Sequence, residues 1–261
     1  MKHEEKFFKG YQQYNIYYQN WLPENAPKAV LLVAHGFAEH SGRYGNVVNY
    51  FVPRGYAVYA LDHRGHGRSQ GERVQVDDFH DYVKDLKTYF DIVRKKNPES
   101  KIFLIGHSMG SIISLGYCLE YQSELAGLIT SGGGLIRPND PPMQPPPPGQ
   151  SLPVSMLSRD QAVIDAYVND PLVYHGPVPQ NHSMRNMMRE LTSSVQNIRL
   201  PVLVMAGAGG EDASRAKVLY ELIGAKDKTF KPYAGLLHEI FNEPEYPQVM
   251  ADMGEWLKKR I

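Results

Sequence analysis

The chain has 261 residues, 42% of them hydrophobic, and 28 Lys plus Arg balance 28 Asp plus Glu. A neutral balance supplies no general field to draw in nucleic acid or an anionic membrane, which argues against polyanion partners and for a small neutral substrate. The single cysteine, Cys118, excludes an intramolecular disulfide, and no apolar run reaches the roughly 18 residues that span a bilayer.

The first ten residues, MKHEEKFFKG, mix charges of both signs and lack the apolar stretch of a signal peptide, so a cytoplasmic location is expected. Tyr14 to Trp21 alternates and is rich in aromatics, as an outer antiparallel strand would be. Its aromatics are read as strand packing, with transient contact with a membrane surface as the alternative. Ala29 to Ala34 is a continuous apolar run, expected of a strand covered on both faces. A short helix over Asn46 to Pro53 and a strand over Ala57 to Asp62 follow. Apolar residues at Phe79, Val83, Leu86, Phe90 and Val93 predict a helix to Lys95. Strand Ile102 to Ile105, helix Met109 to Glu120 and strand Leu125 to Thr130 continue the alternation. Cys118 lies in the apolar part of that helix and reads as a small buried hydrophobe.

The rhythm then breaks. Residues 138–148 contain seven prolines and cannot form helix or inner strand, so a stiff, extended surface segment is expected. Helical patterns return over Arg159 to Val168 and Ser183 to Ser193. Strand Pro201 to Ala206, helix Ala213 to Ile223, strand Thr229 to Tyr233 and helix Tyr246 to Lys258 complete the chain. The class is therefore α/β, with a mostly parallel central sheet and helices on both faces. Residues 1–134 and 199–261 form the expected core, and 135–198 a short inserted cap carrying the proline-rich segment.

Gly106-His107-Ser108-Met109-Gly110 sits between the apolar strand and the apolar helix, the setting of a nucleophile elbow. Glycines at 106 and 110 leave space for neighbouring backbone, and Ser108 is the candidate nucleophile. Taken alone the pattern also fits a serine N-cap. A serine hydroxyl needs a base, and on such sheets the chain order is serine, acid, histidine. Of ten histidines, His107 adjoins the serine but is expected to point elsewhere, while His175 and His182 fall in the cap. His238 follows the last strand on a loop and is the candidate base. Asp212, after strand Pro201 to Ala206, is the candidate acid, with Glu211 and Asp227 as runners-up. Glu239 is disfavoured because it adjoins the base. Oxyanion donors are expected at the Met109 amide and at the Phe37 amide, after the close turn that Gly36 permits. No metal set is complete, since the pairs His35/His40 and His63/His66 lack a carboxylate or cysteine partner.

These segments together resemble the monoacylglycerol lipase family in its bacterial form. The likeness runs through HGFAEHSGRY (35–44), LDHRGHGRSQG (61–71), GHSMG (106–110), LSRD (157–160), NDPLVYHG (169–176), LPVLVMAG (200–207), LYELIGAKDKT (219–229) and GLLHEIFNEPE (235–245). The resemblance implies an α/β-hydrolase fold and hydrolysis of monoacylglycerols to fatty acid and glycerol. It implies Ser108, Asp212 and His238 as triad, Phe37 and Met109 as oxyanion donors, and no cofactor. Acyl transfer, amide or peptide hydrolysis, and carbon–carbon bond cleavage are the alternative uses of the same triad. Two departures stand out. The cap is short and carries a proline tract where such families have helices, which implies a more open site and broader ester tolerance. Asp212 also runs directly into Ala213-Ser214-Arg215, without the longer loop usual there.

Overall fold

The computed structural model describes residues 1–137, 147–179 and 182–261. Its centre is one eight-stranded sheet in the order β1-β2-β4-β3-β5-β6-β7-β8. The strands are β1 (Lys2–Lys9), β2 (Asn15–Leu22), β3 (Val30–Ala34), β4 (Ala57–Leu61), β5 (Ile102–His107), β6 (Gly127–Ser131), β7 (Val202–Gly207) and β8 (Lys228–Tyr233). β1 and β2 pair antiparallel, as do β2 and β4, and every other pairing is parallel.

The apolar runs are continuous because both faces of the sheet are covered. Along β3, Val30 and Leu32 enter one core while Leu31 and Val33 enter the other. The first core is closed by α2 (His80–Lys96), α3 (Met109–Tyr121), α5 (His182–Ser194) and α6 (Asp212–Leu222). The second is closed by α1 (Gly45–Phe51) and α7 (Tyr246–Lys258). Helix α4 (Gln161–Asn169) stands apart with a small cluster of Leu157, Tyr167 and Val173. Among the described residues, the stretch between β6 and β7 contains helices and no strand, and no helix is long and apolar enough to cross a membrane. Of the proline tract, residues 138–146 lie outside the described residues.

One expectation is corrected. The strand near Tyr14 to Trp21 is antiparallel but not outermost, because β1 pairs along its whole length, from Lys2 opposite Leu22 to Lys9 opposite Asn15. β1 carries KHEEKFFK and buries only Phe8, so it shows no apolar alternation. A charged strand suits a sheet edge, where it discourages pairing with other chains.

The crossovers also locate the site. β3 lies between β4 and β5, so the chain leaves it on one side and later returns on the other. Ligands in open α/β sheets bind beyond the carboxyl ends of strands at such a switch point. Here those ends are adjacent, with Ala34 opposite Gly106, and they lead into His35-Gly36-Phe37 and His107-Ser108-Met109.

Candidate active site

Ser108 stands between β5 and α3 with φ 52 and ψ −116, a conformation an L side chain rarely adopts. It is held there by its own N–H, which donates to Ser131 O at 2.8 Å, and by its carbonyl, which accepts from Ser111 N at 2.9 Å. The flanking glycines are required by contact. A Cβ on Gly110 would lie 2.0 Å from Ala34 O, and one on Gly106 would lie 2.5 Å from Gly110 O. The turn therefore packs directly against the ends of its neighbours. Met109 opens α3, which aims unpaired amides and the positive helix end at the same space.

The loop after β3 lies against this turn. A Cβ on Gly36 would be 3.3 Å from Ser108 Cβ. Both sides of Gly36 are fixed: its N–H donates to Glu39 Oε1 at 2.6 Å, and its carbonyl accepts from His35 Nδ1 at 2.7 Å. The His35 tautomer follows from geometry, because its Nε2 accepts the His63 amide at 2.9 Å and so leaves the proton on Nδ1. Burial, then the neighbouring His63 and His66, push the His35 pKa well down and keep that ring neutral. All peptides in the described residues are trans, so the Phe37 N–H lies on the side of its peptide opposite the Gly36 oxygen held by His35.

His238 and Asp212 meet at the far end of the sheet. His238 Nδ1 donates to Asp212 Oδ2 at 2.7 Å, which leaves Nε2 as an acceptor. Burial alone lowers the His238 pKa, but the Asp212 hydrogen bond and charge, with Glu239 and Glu39, raise it above 6.5 overall. Asp212 is the first residue of α6, so the missing loop does not separate acid from histidine. The runners-up lie elsewhere: Glu211 pairs with Arg215 at the surface and Asp227 with Arg260. His107 is buried beside His238 with ring centroids 4.9 Å apart, and its Nδ1 faces Ser131 Oγ at 3.2 Å. Burial, then the His238 charge, lower its pKa to about 3, so it is neutral at ordinary pH.

Ser108, His238, Asp212, Gly36, Phe37, Met109 and His107 all line one cavity of about 710 Å³. Its inner surface is mainly apolar, with Val74, Tyr82, Ile112, Leu152 and Leu157 among the walls. Among the described residues, no group of three His, Cys, Asp or Glu is placed to hold a metal ion.

A buried ionic cluster beneath the site is absent from the residue-by-residue reading of the sequence. Arg43 donates to both Glu239 oxygens at 2.6 and 2.8 Å and to Glu39 Oε2 at 3.0 Å. One guanidinium thus joins the Gly36 loop to the His238 loop and stacks on Tyr167 of α4, 4.6 Å from the ring centre. Burial works to raise the Glu239 pKa, but Arg43 holds it below its usual value. Glu39 goes the other way, because burial and the Glu239 charge outweigh the Arg43 attraction. Glu239 adjoins the histidine in sequence, and its carboxylate points to Arg43 rather than to the imidazole.

The motif segments are stitched to one another. His238 N donates to Met156 O and Glu239 N to Leu157 O, tying the histidine loop to the LSRD segment. Arg159 Nε and Leu237 N converge on the buried Glu243 carboxylate at 3.1 and 2.8 Å. On the other side Tyr174 N donates to Ala38 O at 2.8 Å, and His40 Nε2 bonds Asp170 Oδ2 at 2.8 Å.

Comparison with known proteins places the whole chain in a family. The family described as "Serine aminopeptidase, S33" matches residues 25–245. The chain is 33% identical over 274 residues to a monoacylglycerol lipase of Mycolicibacterium smegmatis, covering 98% of each. It is 32% identical over 272 residues to the monoglyceride lipase of Rattus norvegicus, covering 94% of this chain and 88% of that one. The solved monoacylglycerol lipase of Paleococcus ferrophilus superposes with TM-score 0.77 at 26% identity, covering 100% of both chains. The chain therefore belongs to the monoacylglycerol lipase family of α/β-hydrolases.

Proposed function

We propose that the protein is a serine ester hydrolase acting on monoacylglycerols and related single-chain esters through an acyl-enzyme on Ser108. The observation that carries this reading is a serine on a positive-φ turn sharing a cavity with a histidine whose Nδ1 is bound by Asp212 at 2.7 Å. Residues 135–198 act in this reading as a cap whose carbonyls steady the histidine loop.

The ester carbonyl oxygen is received by the Phe37 and Met109 amides, which the His35 contact and the start of α3 hold in place before substrate arrives. Ser108 Oγ attacks the carbonyl carbon as its proton passes to His238 Nε2. The Asp212 carboxylate stabilises the imidazolium that forms. Collapse of the tetrahedral intermediate breaks the bond to the leaving alcohol, which takes the proton from His238. Water then loses a proton to the same nitrogen and attacks the acyl-enzyme, and collapse of the second tetrahedral intermediate releases the fatty acid as Ser108 Oγ takes that proton back from His238. A single cavity with apolar walls admits one acyl chain more readily than three, which favours monoacylglycerols over triacylglycerols. A cytoplasmic site of action, with transient contact with lipid surfaces, belongs to the same proposal.

Ser108→Ala is expected to lower kcat on monoacylglycerols and p-nitrophenyl esters by several orders of magnitude and to abolish fluorophosphonate labelling. Retention of more than a few per cent of the activity refutes the assignment. Turnover of an ester, an aryl amide and an ester with added alcohol, measured side by side, separates hydrolysis of esters from peptidase and acyltransfer chemistry.

A further inference from the structure

Two groups of walls in the cavity differ in polarity. Glu39, Glu239 and Tyr167 gather at Arg43. Phe37, Val74, Tyr82 and Ile112 form an apolar group, with Ile112 one turn along α3 from Ser108. Two of these are joined through His66, whose ring meets Phe37 edge-on at 5.9 Å and Tyr82 at 6.2 Å. An apolar acyl chain is most stable against this second group, because it leaves water there without stranding a charge.

Tyr82 of α2 brings a polar atom to these walls. It is 1% exposed, and its ring is held edge-on by Phe79 at 5.2 Å and by His63 at 5.5 Å. A buried phenol ordinarily finds a hydrogen-bond partner. The Tyr82 hydroxyl has none among the described residues, and its surroundings act on it only through burial and the more distant charges of Arg64 and Asp85. The polar atoms beside it that lack a partner and are wholly enclosed are His63 Nδ1 and Nε2 and His66 Nε2. The Tyr82 hydroxyl is not among those enclosed atoms, so it keeps open surface, and the open space that Tyr82 borders is the cavity. Burial raises the phenol pKa, so the group keeps its proton and stays a donor. Resting on the ester-hydrolase reading above, we propose that the Tyr82 hydroxyl donates a hydrogen bond to an oxygen carried on the acyl chain. Tyr82 is then a specificity-determining residue, and the enzyme favours single-chain esters whose acyl group bears a keto or hydroxyl oxygen at one position away from the scissile carbonyl.

The test uses glyceryl esters of dodecanoic acid in which one oxo or one hydroxyl group is moved from mid-chain to the methyl end, beside the unsubstituted ester. Each is assayed at monomeric concentration with the wild type and with Tyr82→Phe, which keeps the ring and its edge contacts. The quantity read is kcat/KM for the oxygenated ester divided by that for the plain one. In the wild type this ratio is expected to peak at one position, roughly three- to tenfold above the flanking positions, the size of one neutral hydrogen bond. Tyr82→Phe is expected to flatten the peak while the plain ester is turned over as well as before or better. A peak for the oxo series assigns a carbonyl as the acceptor, and a peak for the hydroxyl series assigns an alcohol. A ratio that is flat along the chain in the wild type, or a peak that survives Tyr82→Phe, overturns the proposal, and turnover of the plain ester then leaves the hydrolase reading standing. Failure to turn over any of the esters overturns both. Because the ratio is taken within one protein preparation and depends on position, partial misfolding of the variant does not imitate the result.

Discussion

At the scale of single residues, the His238–Asp212 contact makes a prediction about pH. In the proposed mechanism the base works only when neutral, so kcat/KM is expected to rise with pH as His238 loses its proton. Asp212 raises the histidine pKa above 6.5, so the midpoint of that limb is expected above pH 6.5. Asp212→Asn removes the negative charge that favours the imidazolium. The limb is expected to move to lower pH while the plateau falls by about 10²–10⁴, because the amide neither stabilises the charged ring nor enforces the tautomer. A pH profile of p-nitrophenyl ester hydrolysis for both proteins checks this, and an unmoved limb counts against Asp212 as the orienting acid. His107 contributes no limb of its own above pH 5, since its pKa is held at about 3. These residues were legible in the sequence because each is tied to a local pattern: a serine between glycines after a strand, an acid after a strand, a histidine after the last strand. The geometry of Asp212 was not legible, since a short connection carries no sign of whether the carboxylate reaches a loop 26 residues later.

At the scale of elements, the loops that carry Phe37 and His238, the proposed oxyanion donor and base, are joined by one buried side chain. Arg43 reaches Glu239 across 196 residues of sequence and Glu39 across four. Removing it leaves two buried carboxylates without a cation, which typically destabilises by about 3–5 kcal/mol. Arg43→Met is therefore expected to lower Tm by roughly 10 °C. It is also expected to reduce kcat more than KM, because Gly36 and His238 both lose their common support. Adding Glu239→Gln to that variant removes one stranded charge and is expected to restore part of the Tm. Thermal unfolding and steady-state kinetics on the single and double variants test this, and additive effects refute the coupling. No periodicity could have exposed this cluster, since its members meet only after β3 and β8 take their places in the sheet. The elements themselves were largely legible, because strands buried on both faces and amphipathic helices leave distinct patterns. β1 was the exception: it is fixed by hydrogen bonds to β2 and buries only Phe8, so burial left no trace in its sequence.

At the scale of the whole molecule, the neutral balance of charge hides a local one. The chain carries equal numbers of acidic and basic residues, yet among the described residues α5 and α6 bring three arginines, Arg185, Arg189 and Arg215, and one acid, Asp212, to the cavity. A net charge summed over the chain describes the far field and says little about a cleft. The same cleft bears on acyl selectivity. Sequence reading expects a reduced cap and broad ester tolerance. Between β6 and β7 the described residues supply two α-helices, and they are used for different purposes. Tyr167 of α4 packs on Arg43 below the site, while Met187 and Leu191 of α5 are buried in the sheet core. Apart from the α5 face, the described residues between β6 and β7 that reach the cavity include Ile136, Leu152, Met156, Leu157, Tyr167 of α4, Val178 and Pro179. A tunnel that measures chain length needs a closed end, since discrimination per methylene comes from filling or overfilling a pocket and is limited to about 1–3 kcal/mol even then. On the reduced-cap reading, short segments around the cavity supply apolar contact without that stop. We therefore expect kcat/KM to vary little from octanoyl to stearoyl monoacylglycerols and p-nitrophenyl esters, once each is assayed below its aggregation limit. A sharp optimum at long chains would mean that residues 135–198 close over the acyl chain, and the reduced-cap reading would be lost.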